Sequence, residues 1–452
     1  MEYSKGPDAF WTMERLLRSG ELADEYGARG VQDVLDEVGR AVDAAVLRIR
    51  ALPVDEEMRS REPDDFSAIR ALRPAGPRRM SEGLPTGFPD RLAGALFARM
   101  AGCTLGAPVE GWSIADMTRW ATCLGDAFPP VDYWTGITGI PDTPRYFKST
   151  LADFTRGKMH GVPVDDDTAY TLLGLLVAEE YGPGFTTEDV GRAWVRYLPV
   201  ACTAEGAALS ALKDKVPALS AADRENPYVQ WIGADIRSDP WAWLAPAWPE
   251  KAAELAYRDA ILSHRRNGVY GAMFFAAAQS AAFAVDDPLE AVRIGLSEIP
   301  ASCALAEAVR WALDDDEGAR GYQEARRAVD ARFPGMHPVH TLNNACLTIF
   351  GLRIGGTDVT RVLSETVAMG LDNDCTAATA GSIVGAVVGG RRIPGHWTKP
   401  FDGYVRSYLN GTDTFGIEEI LARFTTQALR FRQAQIMSVI RQERTDGNPL
   451  KT

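Results

Sequence analysis

The chain has 452 residues, 46% hydrophobic and 24% charged, with 48 Lys plus Arg against 61 Asp plus Glu for a formal charge of -13. This is globular composition with ample material for a core, so disorder of the whole chain is excluded, and a negative mean field argues against a nucleic-acid partner. The six cysteines (Cys103, Cys123, Cys202, Cys303, Cys346, Cys375) are scattered without a CxxC pair and read as reduced thiols.

The start of the chain lacks a basic stretch followed by an apolar run, and the apolar stretch Met273 to Val285 is too short to span a bilayer, so no membrane association and a cytoplasmic location are expected. Apolar residues at helical spacing (Leu16, Leu17, Leu22, Val31, Val34, Leu35, Val38, Val42, Val46) predict surface helices over residues 8 to 50. From Pro53 to Asp90 the composition turns to Pro, Gly and charge, the signature of a linker or an irregular connection. Residues 1–90 therefore read as a helical N-terminal extension with its linker, and 91–452 as the main domain.

In the main domain β-branched alternation is scarce, and segments such as TAYTLLGLLVAEEYG and PEKAAELAYRDAILSHRR keep a period near 3.6, predicting an all-α fold. Gly94, Ala98, Gly102 and Gly106 lie four apart, a small-residue groove that lets another helix approach closely.

Three acidic features stand at the mouths of apolar segments: Glu110 ends LGAPVE, Asp165, Asp166 and Asp167 precede TAYTLLGLLV, and Asp372 and Asp374 precede TAATAGSIVGAVVGG. A single Asp there reads as an N-cap. Consecutive aspartates, however, repel by on the order of 1 kcal/mol per pair in water and by more when dry, so a neutralising cation is expected. With five histidines in the chain and no HExxH, carboxylate donors favour Mg²⁺ or Mn²⁺ over zinc. Small residues after Asp374 would let its helix pack deeply and carry the carboxylates to a buried ion.

These motifs resemble the ADP-ribosylglycohydrolase family over most of residues 91 to 400. GCTLGAPVE (Gly102 to Glu110), DDDT (Asp165 to Thr168) and LDNDCTAATAGSIVGA (Leu371 to Ala386) are similar to its acidic motifs. IGADIRSDP (Ile232 to Pro240) is similar to its nucleotide loop, SHRRNG (Ser263 to Gly268) to a helix with a substrate-side histidine, and HTLNNACLTIFGL (His340 to Leu352) to a core helix, all in the family's order. The resemblance implies an orthogonal multi-helix bundle with two Mg²⁺ ions, Mn²⁺ as an alternative, ligated by Asp166, Asp167, Asp372 and Asp374. It also implies Glu110 as the residue managing the proton, and Gly233, Arg237 and His264 facing substrate.

Asp165 and Cys375 stand where the family usually has metal-ligating threonines and are counted with the metal site, the thiol as a poor ligand for Mg²⁺, and Cys103 stands where the family usually has Asp. Arg237, after a Gly turn, reads either as a bidentate phosphate contact or as a surface ion-pair residue, and His264 has a second reading as a cation at a helix C-terminus. The implied activity is hydrolysis of an ADP-ribosyl-type N- or O-glycosidic bond on a small-molecule or protein-linked substrate. Two alternatives stay open: hydrolysis of a free ribosyl or NAD-derived metabolite, with the Trp-rich segment (Trp194, Trp231, Trp241, Trp243, Trp248) closing over it, and non-catalytic binding of ADP-ribose or a nucleotide.

Overall fold

A computed structural model describes Tyr3, residues 8–314 and residues 318–445, the side chains of Ala9 and of 435–445 excepted. Two compact units are present, Met1–Ser60 and Arg61–Thr452. In the first, helices Ala9–Glu25 and Val31–Arg50 meet near their connecting turn, where Gly20 leaves room for the Val31 side chain. Asp8 caps the first helix by accepting from the Trp11 amide. No residue of the second helix is buried, and Val34, Val42, Val46 and Ile49 are exposed.

The second unit is all-α apart from two small two-stranded antiparallel sheets, Pro144–Arg145 with Ser149–Thr150 and Tyr404–Arg406 with Thr414–Gly416. Residues 61–90, although rich in Pro, Gly and charge, belong to it: Ile69 and Phe88 are buried, and Glu62 accepts from the Asn267 side chain at 2.9 Å and the Ala304 amide at 2.8 Å.

Its centre is an antiparallel pair of buried helices, Phe88–Gly106 and Asn373–Val388. Their small residues meet backbone to backbone. A Cβ on Gly94 would lie 2.1 Å from the Gly385 carbonyl oxygen, one on Gly102 2.2 Å from that of Ala377, and one on Gly106 2.4 Å from the Asp374 Cα. Gly381 in turn faces the Ala98 carbonyl. Interfaces this close tolerate no added methyl without backbone displacement. The small-residue periodicity thus fixes how deep the first turn of the Asp374 helix sits.

Helices Thr341–Gly355 and Val359–Ala368 cover the same helix, and the wholly buried helix Asn267–Ala282 packs beside it. Among the described residues one segment, Phe88–Val109, is long and apolar enough to cross a membrane. Its window is 89% buried in the protein core.

Candidate metal centre and active site

Asp165 is the N-cap of helix Asp166–Tyr181, accepting from the Asp167 amide at 3.2 Å. The chain leading to it is pinned on both sides. Val162 bridges the strand at Val405, and the Val164 amide donates to Ser149 Oγ at 2.9 Å. Asp372 occupies the N-cap position of helix Asn373–Val388 but makes no side-chain capping bond. Its carboxylate is therefore left for another role, and its own amide is held by Asn344 Oδ1 at 3.3 Å. Asn344 and its helix, satisfied polar groups rather than reacting ones, hold the turn that presents Asp372.

The acidic motifs converge although they are distant in sequence. One donor atom from each of Asp167, Asp374 and Cys375 falls within a 4.8 Å set, as does one from each of Glu110, Asp372 and Asp374, and one from each of Cys103, Asp165 and Asp167. Asp165, Asp167, Asp372 and Asp374 are at most 5% exposed, whereas the Glu110 side chain is 42% exposed at the rim. Oδ1 of Asp167, Asp372 and Asp374 is buried in each case without a hydrogen-bond partner. Unpaired buried carboxylate oxygens are costly unless something cationic meets them. These three atoms suit a hard divalent ion.

Other positions in the cluster are already taken. The Cys375 thiol donates to Asp167 Oδ2 at 3.1 Å, and burial followed by the neighbouring carboxylates pushes it, like Cys103, well above the usual thiol range. Asp165 Oδ2 accepts from Arg145. Asp166 Oδ1 accepts from the Asp167 amide at 3.1 Å, and its carboxylate also takes a hydrogen bond from Tyr146. Burial, then mutual repulsion, raises Asp166 and Asp374 well above the ordinary carboxylate value. Asp167 is raised by burial too, against the lowering pull of Arg99. Asp372 is pushed up to about 7 by burial and then by Glu110.

Two arginines that sequence reasoning missed complete the site. Arg99, fully buried, spans Asp167 Oδ1 at 3.5 Å and Asp239 at 2.7 Å and donates to the Asp167 carbonyl at 2.7 Å, so it fixes the Asp167 turn from behind. An arginine inside the small apolar run ALFARMAG is the signal that would have found it. Arg145 reaches in from the front: Nη1 lies 2.9 Å from Glu110, and Nη2 lies 2.7 Å from Asp165 and 3.3 Å from Asp374. Nothing in PDTPRYFK sets that arginine apart from a surface one.

The structure gathers Gly233, Arg237 and His264 elsewhere, around Glu205. Arg237 is 2% exposed, paired with Glu205, bonded at 2.7 Å to Asp259 and 3.0 Å to Ser263, and stacked on Trp194 at 4.9 Å. Neither expected reading of Arg237 describes this. It is no surface ion pair, and its donors are spent on carboxylates rather than free for a phosphate.

Burial, then Arg237, drives His264 well below its ordinary value, so it is neutral, with Nδ1 2.8 Å from Ser263 Oγ. Neutrality removes the cationic-cap reading, and complete burial sets the ring away from solvent. Gly233 is required because a Cβ there would strike the Glu205 carboxylate. Of the tryptophans expected to form a closing flap, Trp194, Trp241 and Trp243 are core residues at most 1% exposed. A surface cavity of about 530 Å³ opens next to Glu110, lined by Gly111, Trp112 and Trp120.

The all-α core carries a buried acidic cluster with one carboxylate, Glu110, at its exposed edge. The family model for ADP-ribosylglycohydrolase matches residues 84–429, and the chain belongs to that family. Among solved structures it is similar to an "ADP-ribosylglycohydrolase-related protein complex", with 19% identity, a TM-score of 0.49, and coverage of 77% of this chain and 99% of that one. Among curated proteins none matches the chain.

Proposed function

We propose that the chain is a divalent-cation-dependent glycohydrolase cleaving an N- or O-glycosidic bond at the anomeric carbon of an ADP-ribosyl-type substrate, small or protein-linked. The observation that carries this reading is that Asp374 shares one ligand-sized set with Asp167 and Cys375 and another with Asp372 and Glu110, and that Oδ1 of Asp167, Asp372 and Asp374 is buried without a hydrogen bond. Those aspartates would hold Mg²⁺ or Mn²⁺, which when bound supplies the positive charge that polarises a ribose oxygen and acidifies water. Glu110, at the rim, orients the attacking water and takes its proton. Arg99 keeps Asp167 in place, and the backbone contact of Gly106 with Asp374 sets the depth of the floor. The six free cysteines accord with a cytoplasmic setting.

The test is a panel of ribosyl glycosides, protein-linked and small, assayed with Mg²⁺, Mn²⁺ and chelator. Turnover that needs the metal and falls by about 10²-fold or more in Glu110→Gln, in keeping with a lost general base, is the expected result. Hydrolysis that survives chelation, or ADP-ribose binding without hydrolysis of any glycoside in the panel, would overturn it.

A further inference from the structure

We propose that the Arg145 guanidinium is a built-in cation of the acidic cluster. It occupies the position between Glu110, Asp165 and Asp374 that a second divalent ion would need, so this chain binds one divalent ion, on the side of Asp167 and Asp374. The inference rests on the cation-site reading above and refines it.

The first support is the division of oxygens. Every guanidinium nitrogen of Arg145 is directed at an acceptor: Nε at Asp165 (3.1 Å), Nη1 at Glu110 (2.9 Å) and the Ala107 carbonyl (3.2 Å), and Nη2 at Asp165 (2.7 Å) and Asp374 (3.3 Å). What remains without a hydrogen bond is Oδ1 of each of Asp167, Asp372 and Asp374, all at most 5% exposed, with that of Asp167 lying 3.5 Å from Arg99. Of these, Asp167 and Asp374 fall within one 4.8 Å set together with Cys375, a place for one ion. A second ion would have to share Asp165 and Asp374 with a guanidinium already in contact with them, and like charges at that separation repel strongly where water is scarce.

The second support is that the placement is constructed. Arg145 ends the first strand of a tight hairpin, paired with Ser149, whose hydroxyl accepts from the Val164 amide beside Asp165. The turn between the strands holds Tyr146 and Phe147 at φ 48° and 61°, a left-handed conformation that non-glycine residues adopt at a cost and keep only when their surroundings enforce it. The enforcing contacts are visible. The Tyr146 ring stacks on Tyr408 at 5.0 Å and 11°, its hydroxyl bonds Asp166, and the Phe154 ring lies 5.8 Å from the Arg145 guanidinium. The side chain is 16% exposed, so its ion pairs are largely desolvated, and Nε and Nη2 both converge on Oδ2 of Asp165, a charge-assisted contact.

Composition agrees. Asp165 adds a carboxylate where the family resemblance places a threonine, and Arg145 is the group that neutralises it. Cys375, a poor ligand for a hard ion, instead donates its proton to Asp167.

The experiment counts metal. Mn²⁺ is titrated calorimetrically into the full chain, the bound metal is measured after desalting, and the EPR spectrum is recorded, for wild type, R145A and the double variant R145A/D165T. The expected result is one Mn²⁺ per wild-type chain with an isolated-ion spectrum. The double variant, which removes charge and countercharge together and so keeps the fold, should bind two with a spin-coupled spectrum.

Two Mn²⁺ in the wild type, or one in both proteins, would overturn the role of Arg145 while leaving the cation site intact. No Mn²⁺ in either would instead remove the cation reading on which both proposals rest. The wild-type stoichiometry decides even if R145A fails to fold.

Discussion

Two buried charged clusters lie within electrostatic reach of one another, and Tyr170 feels both Glu205 and Asp166. Around Arg237 the charges close on themselves: Glu205 and Asp259 each meet the guanidinium, and the remaining donors are taken by Ser263 and the Gly233 carbonyl. Around Asp374 they do not close, because two guanidiniums serve a larger set of carboxylates and three oxygens are left without a hydrogen bond. Burial of charge is common to both. What separates them is which atoms are left without a hydrogen bond: a ring nitrogen, Nε2 of His264, in the first, and three carboxylate oxygens, which a cation would meet, in the second.

The largest effect expected from this contrast is on stability. Arg237→Met strands Glu205 and Asp259 in the interior, and loss of one partner of a buried pair costs about 3–5 kcal/mol. Chemical denaturation should show that loss, while the Mn²⁺ affinity of the folded fraction stays within about 3-fold of wild type. A KM rise with unchanged stability would instead mean that Arg237 touches substrate.

Asp374→Asn acts the other way. Removing a candidate ligand should lower Mn²⁺ affinity by more than the roughly 10–100-fold typical of residues outside the ligand shell, with helical circular dichroism preserved. Retained affinity would erase the distinction between the clusters.

Gly106→Ala sits between the two cases, because its methyl group would press on the Asp374 backbone. Overpacking of this kind costs about 1–3 kcal/mol, and here Mn²⁺ binding should weaken along with stability.

A last effect is a pH dependence. Asp372 ordinarily titrates at 3.8 and is raised to about 7 by burial and Glu110, so the folded chain keeps a proton that the unfolded chain has released. Its contribution to stability is complete below 3.8 and is lost as pH rises through about 7. In chelator, the Tm of wild type should therefore fall relative to Asp372→Asn across that window, and Mn²⁺ should remove the difference. A wild-type Tm that rises relative to the variant would refute the assignment.

Much of this was legible before any coordinates. The 3.6 period gave the all-α domain, and the four-residue spacing from Gly94 to Gly106 anticipated the close helix contact that seats Asp374. Carboxylates at the mouths of apolar helices marked the residues that converge. Asp165 proved to be both a cap and an ion-pair partner, whereas Asp372 stands at a cap position without capping. Arg145 was not legible, because its loop is polar and its partners lie 20 and 229 residues further along the chain. Arg237 was legible only as a charge, with nothing to say whether its partner would be a phosphate or Glu205.

Sequence by itself determined which segments are helical, which faces are small enough to touch, and which residues carry negative charge inward. These follow from periodicity and side-chain volume, which act locally along the chain. Tertiary structure alone decided which charges are neutralised and by whom, since that depends on distances of a few ångströms between residues that only packing brings together. It thereby decided that Arg237 closes its own network and that Arg145 stands among the carboxylates.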